Sequence, residues 1–242
     1  MRVHRRIAQI FGYDLIHIKR NHPNIESHLK ILFDFLNINV VFDVGANDGQ
    51  FGNMIRENGY KGYIVSFEPV PVIYKNLESN SCDDLKWLTY NYALGSKNKN
   101  MEINVTRATG FSSFLDPNKY AKKIRGKEVP VTNKKIVEIK KLDDVFSEII
   151  SCLSVEKSNI FLKMDTQGYD LEVFKGARNV IDKIVALQSE ISILPLYEGM
   201  TNYINTLTEY RKEGFEITGL YPVTRDNNTM FVVEMDCVMK RV

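Results

Sequence analysis

The run Val40–Gly52, VVFDVGANDGQFG, constrains this chain more than any other stretch. It reads as an apolar strand ending at Asp43, a turn carrying Gly45 and Gly49, and the start of a helix. A βα turn of this kind presents backbone N–H groups at a helix N-terminus, and its glycines let a ligand approach closely. A carboxylate at Asp43 repels a pyrophosphate at short range and suits an ammonium or a hydroxyl group. That favours S-adenosylmethionine, with its cationic amino-acid end and its ribose, over a dinucleotide.

Beyond this turn, strands and helices alternate. Apolar strands are expected at Val40–Val44, Gly62–Phe67, Leu85–Tyr92, Ile160–Met164 and Ile184–Ile191, and helices at Gly49–Asn58, Pro71–Asn80, Leu142–Cys152, Tyr169–Ala177 and Thr201–Glu213. The alternation implies an α/β fold, a mostly parallel sheet with helices on both faces. Phe215–Tyr221 and Thr229–Glu234, separated by the polar Arg225–Asn228, read as a C-terminal antiparallel hairpin. Met101–Thr106 and Ile136–Lys140 read as two further strands, joined by a Lys-, Gly- and Pro-bearing insertion on the substrate side.

Residues 1–38 read as an N-terminal helical extension and 39–242 as one domain. The first helix carries Val3, Ile7, Ile10, Phe11, Leu15 and Ile18 at helical spacing with basic residues at its ends, and Ile25, Leu29, Leu32, Phe33 and Leu36 form a second stripe. The basic helix could touch an anionic membrane surface, but its charge is modest, which favours packing on the domain as a lid or brace. All four histidines lie in this extension, so the core has none of its own. A net charge of +2 with 26% charged residues gives no sign of nucleic-acid binding. The three cysteines, Cys82, Cys152 and Cys237, form neither a metal-ligand pattern nor a disulfide framework. No run approaches the roughly twenty apolar residues of a membrane span, and a signal peptide is not evident. The expectation is a soluble, cytoplasmic protein with no metal site.

Glu68 ends the second strand, roughly twenty or more residues after the glycine turn, where an acid binds ribose hydroxyls. For Asp43 and Glu68 the competing role is helix capping. The strand-four block, Leu162–Ala177, delivers Lys163, Asp165 and Gln167 to a strand's carboxyl end. Lys163 is a charge in an apolar strand, so it is either paired with a carboxylate or functional. Glu190 is a lone carboxylate at the end of the next strand, close enough to Asp165 to share a proton, a metal or a substrate hydroxyl, or else a partner for Lys163 or Arg225.

Taken in order, these blocks resemble the FkbM-type family of class I (Rossmann-like) S-adenosylmethionine-dependent methyltransferases. The resemblance rests on FDVGANDGQFG, Phe67-Glu68-Pro69, Asn91-Tyr92-Ala93-Leu94-Gly95, Ser112-Ser113, Leu142-Asp143-Asp144, KMDTQGYDLEVFKGA, Glu190 and the ending around Asp236, and it covers Val40 to the C-terminus. Gln167 departs from it, standing where relatives usually have Glu, so a metal- or proton-handling role of that carboxylate is not carried over. The resemblance implies methylation of hydroxyls on sugars or polyketide-type products. It also implies that Asp43, Gly45 and Asn47 hold the cofactor's amino-acid end and Glu68 its ribose, with Gly49 also in the cofactor site, Asn91 and Ala93 near the adenine, and Phe67 and Pro69 packed on its faces.

Methyl transfer to a hydroxyl needs in-line alignment and a base. Without a core histidine the candidates are Asp165, Glu190 and Lys163. Asp165 is the expected base, with Lys163 as orienting cation. Ser112, Ser113, Tyr197 and Arg225 are expected to line the acceptor site, Arg225 competing with a role as a solvated loop charge. The rival functions are a non-catalytic methyltransferase-like binding protein and an NAD-dependent oxidoreductase, the latter opposed by the glycine spacing.

Overall fold

The computed structural model describes Ile7, Ala8, Ile10, Phe11 and residues 24–242. The first expected N-terminal helix, with its basic ends, lies almost wholly outside these residues. The second is present as α1 (Ile25–Leu36), where Asn24 caps the helix by accepting from the Ser27 N–H and Leu29, Leu32 and Phe33 are buried.

β1 (Val40–Val44) is buried at every position, as expected of a strand covered on both faces. Its side chains alternate between two cores. Val40, Phe42 and Val44 join Phe67, Phe146 and Leu162 on one face. Val41 joins Phe33 and Phe161 on the other, where those two rings meet with centroids 4.8 Å apart. β1 lies parallel to β2 (Tyr63–Phe67) and to β7 (Ile160–Met164), and this register sets Asp43 opposite Ser66 on one side and Lys163 on the other.

The main sheet has seven strands, ordered β3 (Trp87–Tyr90), β2, β1, β7, β8 (Ile184–Ser192), β10 (Val232–Arg241), β9 (Phe215–Arg225). The first five are parallel, and β10 runs antiparallel to both of its neighbours. Helices α2 (Gln50–Glu57), α3 (Pro71–Ser81), α5 (Leu142–Ser151), α6 (Asp170–Lys175) and α7 (Tyr203–Lys212) follow the strands as expected.

Three expectations need correction. The third strand is shorter than Leu85–Tyr92, because Asp84 closes a turn by accepting from Lys86 N through its carboxylate (2.9 Å) and from Trp87 N through its carbonyl (2.9 Å). The second hairpin strand begins at Val232 and runs to Arg241, well beyond Glu234. Its carboxylates interrupt the apolar pattern for separate reasons: Glu234 is buried against Arg125, and Asp236 lines a cavity. The strands expected at Met101–Thr106 and Ile136–Lys140 are longer. β5 (Lys99–Thr106) and β6 (Val131–Lys140) pair antiparallel and, with β4 (Ala93–Leu94), form a separate small sheet. The segment joining them contains a 3-10 turn at Thr109–Phe111 and α4 (Lys119–Arg125), capped by Asn118, whose carboxamide oxygen accepts from Ala121 N at 2.9 Å.

Candidate active site

Chain order reverses between β1 and β7, and ligands of open α/β sheets bind outside the strand carboxyl ends at such a switch point. A cavity of about 370 Å³ opens there, within the size range of small-molecule sites. Its walls come from the turn after β1, the ends of β2, β7 and β8, β4, and the insertion between β5 and β6.

Glu68 ends β2 with its side chain almost wholly enclosed. One carboxylate oxygen accepts from Val70 N at 2.8 Å and the other from Asn47 N at 3.0 Å. Burial pushes its carboxyl up to about 7, against those two hydrogen bonds and the Lys163 ammonium. Asn47 has φ 49°, and its side-chain oxygen accepts from the Thr109 hydroxyl at 3.0 Å, which ties the β1 turn to the insertion.

Asp43, expected at a cofactor's amino-acid end, is fully buried behind the cavity wall and does not line the cavity. Lys163 Nζ lies 3.0 Å from Asp43 Oδ1 and 3.7 Å from Asp165 Oδ2. It also donates to the Gly45 carbonyl at 3.2 Å. The second Asp43 oxygen accepts from Ser66 Oγ at 3.3 Å, and Ser66 in turn accepts from Trp87 Nε1 at 3.0 Å. The physical reason is register: a carboxylate inside a sheet needs a counter-charge, and β7 supplies one directly opposite. Lys163 is therefore paired and also reaches the cavity wall. Burial alone would lower its pKa, but Asp43 and Asp165 outweigh that and the net shift is upward.

The glycines of the turn serve chain packing more than ligand approach. A Cβ on Gly45 would stand 2.1 Å from the Asp165 carbonyl oxygen, and one on Gly52 would stand 2.1 Å from Trp87 Cζ2. Gly49 sits against Leu77 and Trp87 and does not line the cavity, although Gly45 does.

At the end of β7, Gln167 is the hub of the acidic floor. Its amide nitrogen donates to Asp165 Oδ1 at 3.0 Å and to Glu190 Oε2 at 2.6 Å. Its oxygen accepts from the Tyr197 hydroxyl at 2.8 Å, which fixes the amide's orientation. Burial, reinforced by Asp165, Glu234 and Asp236, pushes the Glu190 carboxyl well above the usual range. Asp236 is pushed up to about 6 by burial and by Asp165, while Gln188, donating at 3.0 Å, opposes the shift. Asp165 has a side chain 39% exposed and faces the cavity. Asp170, at the start of α6, locks this floor in place. It accepts from Thr166 N at 2.8 Å and, through its other oxygen, from Ser189 Oγ at 2.8 Å and Glu190 N at 3.2 Å.

The remaining expected residues divide. Ala93, Pro69, Ser112 and Ser113 line the cavity, and Ser113 pins the insertion to the floor by donating to the Gln167 carbonyl at 2.7 Å. Asn91 is exposed and lies outside the cavity, where its amide donates to the carbonyls of Glu68 (2.9 Å) and Pro69 (3.2 Å) and so braces the β2 end. Tyr197 is buried behind Gln167, and Arg225 is exposed, so neither lines the cavity. Arg125, at the end of α4 in the insertion, pairs with Glu234 at 2.5 Å and lies 4.4 Å over the Phe111 ring. Sequence reasoning did not assign roles to Gln167, Asp170, Gln188 or Arg125. Only the cluster DTQGYD hinted at the first two. Among the described residues, no group of three His, Cys, Asp or Glu is arranged to hold a metal ion, and no helix is long and apolar enough to cross a membrane.

This is an α/β protein with an acid-lined ligand cavity at the switch point of its sheet. The Methyltransferase FkbM domain matches residues 43–217, and the chain belongs to that methyltransferase family. No curated protein matches it. Among solved structures it is similar to magnesium protoporphyrin IX methyltransferase from Synechocystis PCC 6803, at 8% identity and TM-score 0.46, over 98% of this chain and 90% of that one. It is also similar to an uncharacterized protein from Listeria monocytogenes serotype 4b, at 8% identity and TM-score 0.48, over 89% and 67% of the two chains. A third likeness is to Aeropyrum pernix fibrillarin, at 9% identity and TM-score 0.45, over 84% and 66%.

Proposed function

We propose that this methyltransferase uses S-adenosylmethionine to methylate a hydroxyl on a sugar, glycan or natural product, with residues 39–242 as the catalytic unit and 1–38 as an extension. The observation that carries this reading is Glu68. Its two carboxylate oxygens are fixed by backbone N–H groups and open onto a cavity at the sheet switch point. A carboxylate so held offers paired acceptors to the vicinal hydroxyls of a ribose. The cavity presents four carboxyls, Glu68, Asp165, Glu190 and Asp236, against one ammonium, Lys163. That balance suits a cofactor bearing an ammonium and a sulfonium and opposes the pyrophosphate of a dinucleotide. Gly45 and Asn47 would hold the amino-acid end, and Phe67, Pro69, Ala93 and Leu94 supply apolar wall for the adenine.

When bound, S-adenosylmethionine supplies an electrophilic methyl on its sulfonium. Asp165 takes the proton from the acceptor hydroxyl. Lys163 and Gln167 hold its carboxylate in place, so the hydroxyl is aligned as well as deprotonated. Glu190, pushed toward its neutral form, leaves Asp165 as the base. Ser112 and Ser113 face the acceptor side.

Isothermal titration with S-adenosylhomocysteine and with NAD tests the pocket, and turnover with methyl-labelled cofactor on a panel of glycosides tests the reaction. Asp165→Asn is expected to keep S-adenosylhomocysteine affinity and lose roughly a hundredfold or more in turnover. Binding of NAD in preference to S-adenosylhomocysteine overturns the reading of the pocket. Near-normal turnover in Asp165→Asn overturns the assignment of the base.

A further inference from the structure

We infer that the methyl acceptor is a soluble phosphate ester, in which a phosphate or pyrophosphate lies close to the reactive hydroxyl and is held outside the cavity by cations of the β5–α5 insertion. This rests on the methyltransferase reading above and adds the substrate class.

The first observation is charge segregation. Between Lys99 and Lys141 there are eleven Lys and Arg against four Asp and Glu, a net +7 in a chain whose total is +2, so the rest of the chain carries −5. Several of these cations are already paired: Lys134 with Glu102, Arg125 with Glu234, Lys140 with Glu138 and Lys141 with Asp144. Arg107, Lys119, Lys122, Lys123 and Lys127 are exposed and form no ion pair among the described residues.

The second observation is where these five lie. Arg107 N donates to the Pro130 carbonyl and Ala108 N to the Glu128 carbonyl, both at 3.1 Å, so Arg107 is tied to the stretch just after Lys127. The next two residues, Thr109 and Gly110, line the cavity. On α4, Lys119, Lys122 and Lys123 are spaced i, i+3 and i+4 and share a face, while Ala121 is buried against Leu196 and Tyr197. The Tyr197 hydroxyl donates to Gln167 of the floor at 2.8 Å and lies 3.2 Å from the carbonyl oxygen of Phe111, next to the wall residues Gly110 and Ser112. Arg107 therefore lies two residues from the cavity wall, with Lys127 on the stretch paired to it, and the three lysines lie on the exposed face of α4, the helix that packs behind that wall.

The interior has the opposite sign. Its one ammonium, Lys163, already faces Asp43, and its other charged groups are carboxyls. A phosphate is repelled from the floor and attracted to the rim, whereas a neutral hydroxyl-bearing ring enters and donates hydrogen bonds to carboxylates. The field thus sets which end of the acceptor goes in. Among the described residues, no large hydrophobic is exposed within the segment from Arg107 to Glu128 itself, whereas Met230 and Phe231 are exposed on the hairpin turn that Asp226 ties to Tyr120 of α4, so vesicle binding tests a lipid surface directly.

The test measures binding of inorganic pyrophosphate and of a nucleoside-diphosphate hexose to the full chain with S-adenosylhomocysteine present. It compares wild type with Arg107→Ala/Lys127→Ala and with Lys119→Ala/Lys122→Ala/Lys123→Ala, and uses Lys30→Ala on α1 as a control. Each multiple variant is expected to weaken both ligands about fivefold or more. Wild-type binding should fall steeply with salt, and S-adenosylhomocysteine affinity should be unchanged throughout. If S-adenosylhomocysteine binds but pyrophosphate does not, or if the variants match wild type, the inference fails and the methyltransferase reading stands. Retention on phosphatidylglycerol vesicles or a single-stranded RNA at concentrations where pyrophosphate does not bind also overturns it. Failure of S-adenosylhomocysteine to bind removes the underlying reading and the inference together.

Discussion

Lowering the pH from 8 to 6 is expected to weaken S-adenosylhomocysteine binding by about tenfold, with Glu68 as the cause. In the free protein, burial holds the Glu68 carboxyl up to about 7. Ribose hydroxyls donate to the ionised form, so binding selects it and expels the proton. The fraction of protein ready to bind is then about one half at pH 7 and about one eleventh at pH 6. The sign follows from the same step: affinity rises with pH and levels off above about pH 8, and roughly half a proton is released per binding event at pH 7. Titration calorimetry at pH 6, 7 and 8, in two buffers of different ionisation enthalpy, measures both quantities. Asp236 and Glu190 also titrate in this cavity, so Glu68→Gln is needed to isolate the effect. That variant should bind weakly and lose most of the proton release. Equal affinity at pH 6 and 8 in the wild type, tighter binding at pH 6, or the same slope in Glu68→Gln would refute the reasoning.

The same shift has a consequence for stability. A carboxyl raised from 4.5 to about 7 on folding disfavours the folded state progressively as pH rises from 4.5 to 7, by roughly 3 kcal/mol once fully ionised. An amide at position 68 removes that charge but sets an NH2 against the N–H of Asn47 or Val70, at about 1–3 kcal/mol. At pH 8, therefore, Glu68→Gln should melt no lower than wild type while binding poorly, as expected for a residue kept for its ligand.

Three further perturbations probe the packing around the site. Lys163→Met leaves the Asp43 carboxylate buried without its cation and should destabilise the fold by about 3–5 kcal/mol. Asp43→Asn in the same chain should recover much of that, and a wild-type melting temperature in the single variant would contradict the pairing. Gln167→Glu places a third carboxyl within hydrogen-bond distance of Asp165 and Glu190. The acid limb of the pH–rate profile should move up by about one unit or more, and an unmoved profile would deny the hub its role. Gly52→Ala improves helix propensity by about 1 kcal/mol, yet its Cβ would overlap Trp87. The expected net is a loss of about 1–3 kcal/mol, accompanied by a change in emission from the chain's single tryptophan. A stabilised variant with unchanged emission would argue against this packing.

What was legible in the sequence follows the physics of burial. β1 and β7 were readable residue for residue because strands covered on both faces are apolar almost throughout, each interrupted only by one member of the Asp43–Lys163 pair. β6 was read short because its first six residues are exposed and mostly polar, and what holds them is pairing with β5, a long-range fact that leaves no periodicity. The site divides in the same way. Glu68, Asp165 and Glu190 were visible because a carboxylate at the end of an apolar strand stands out wherever that strand pairs. The partner of Asp43 was not visible, because it depends on β7 lying beside β1, and strand order is set by the whole sheet. Gln167 shows the boundary most sharply. The sequence displays its amide two residues after Asp165, but nothing local says which end of that amide meets the carboxylates. Tyr197, delivered by the loop after β8, occupies the oxygen and so turns both N–H bonds toward Asp165 and Glu190. A side chain's chemistry is written at its own position, whereas its orientation is written at the position of whatever it touches.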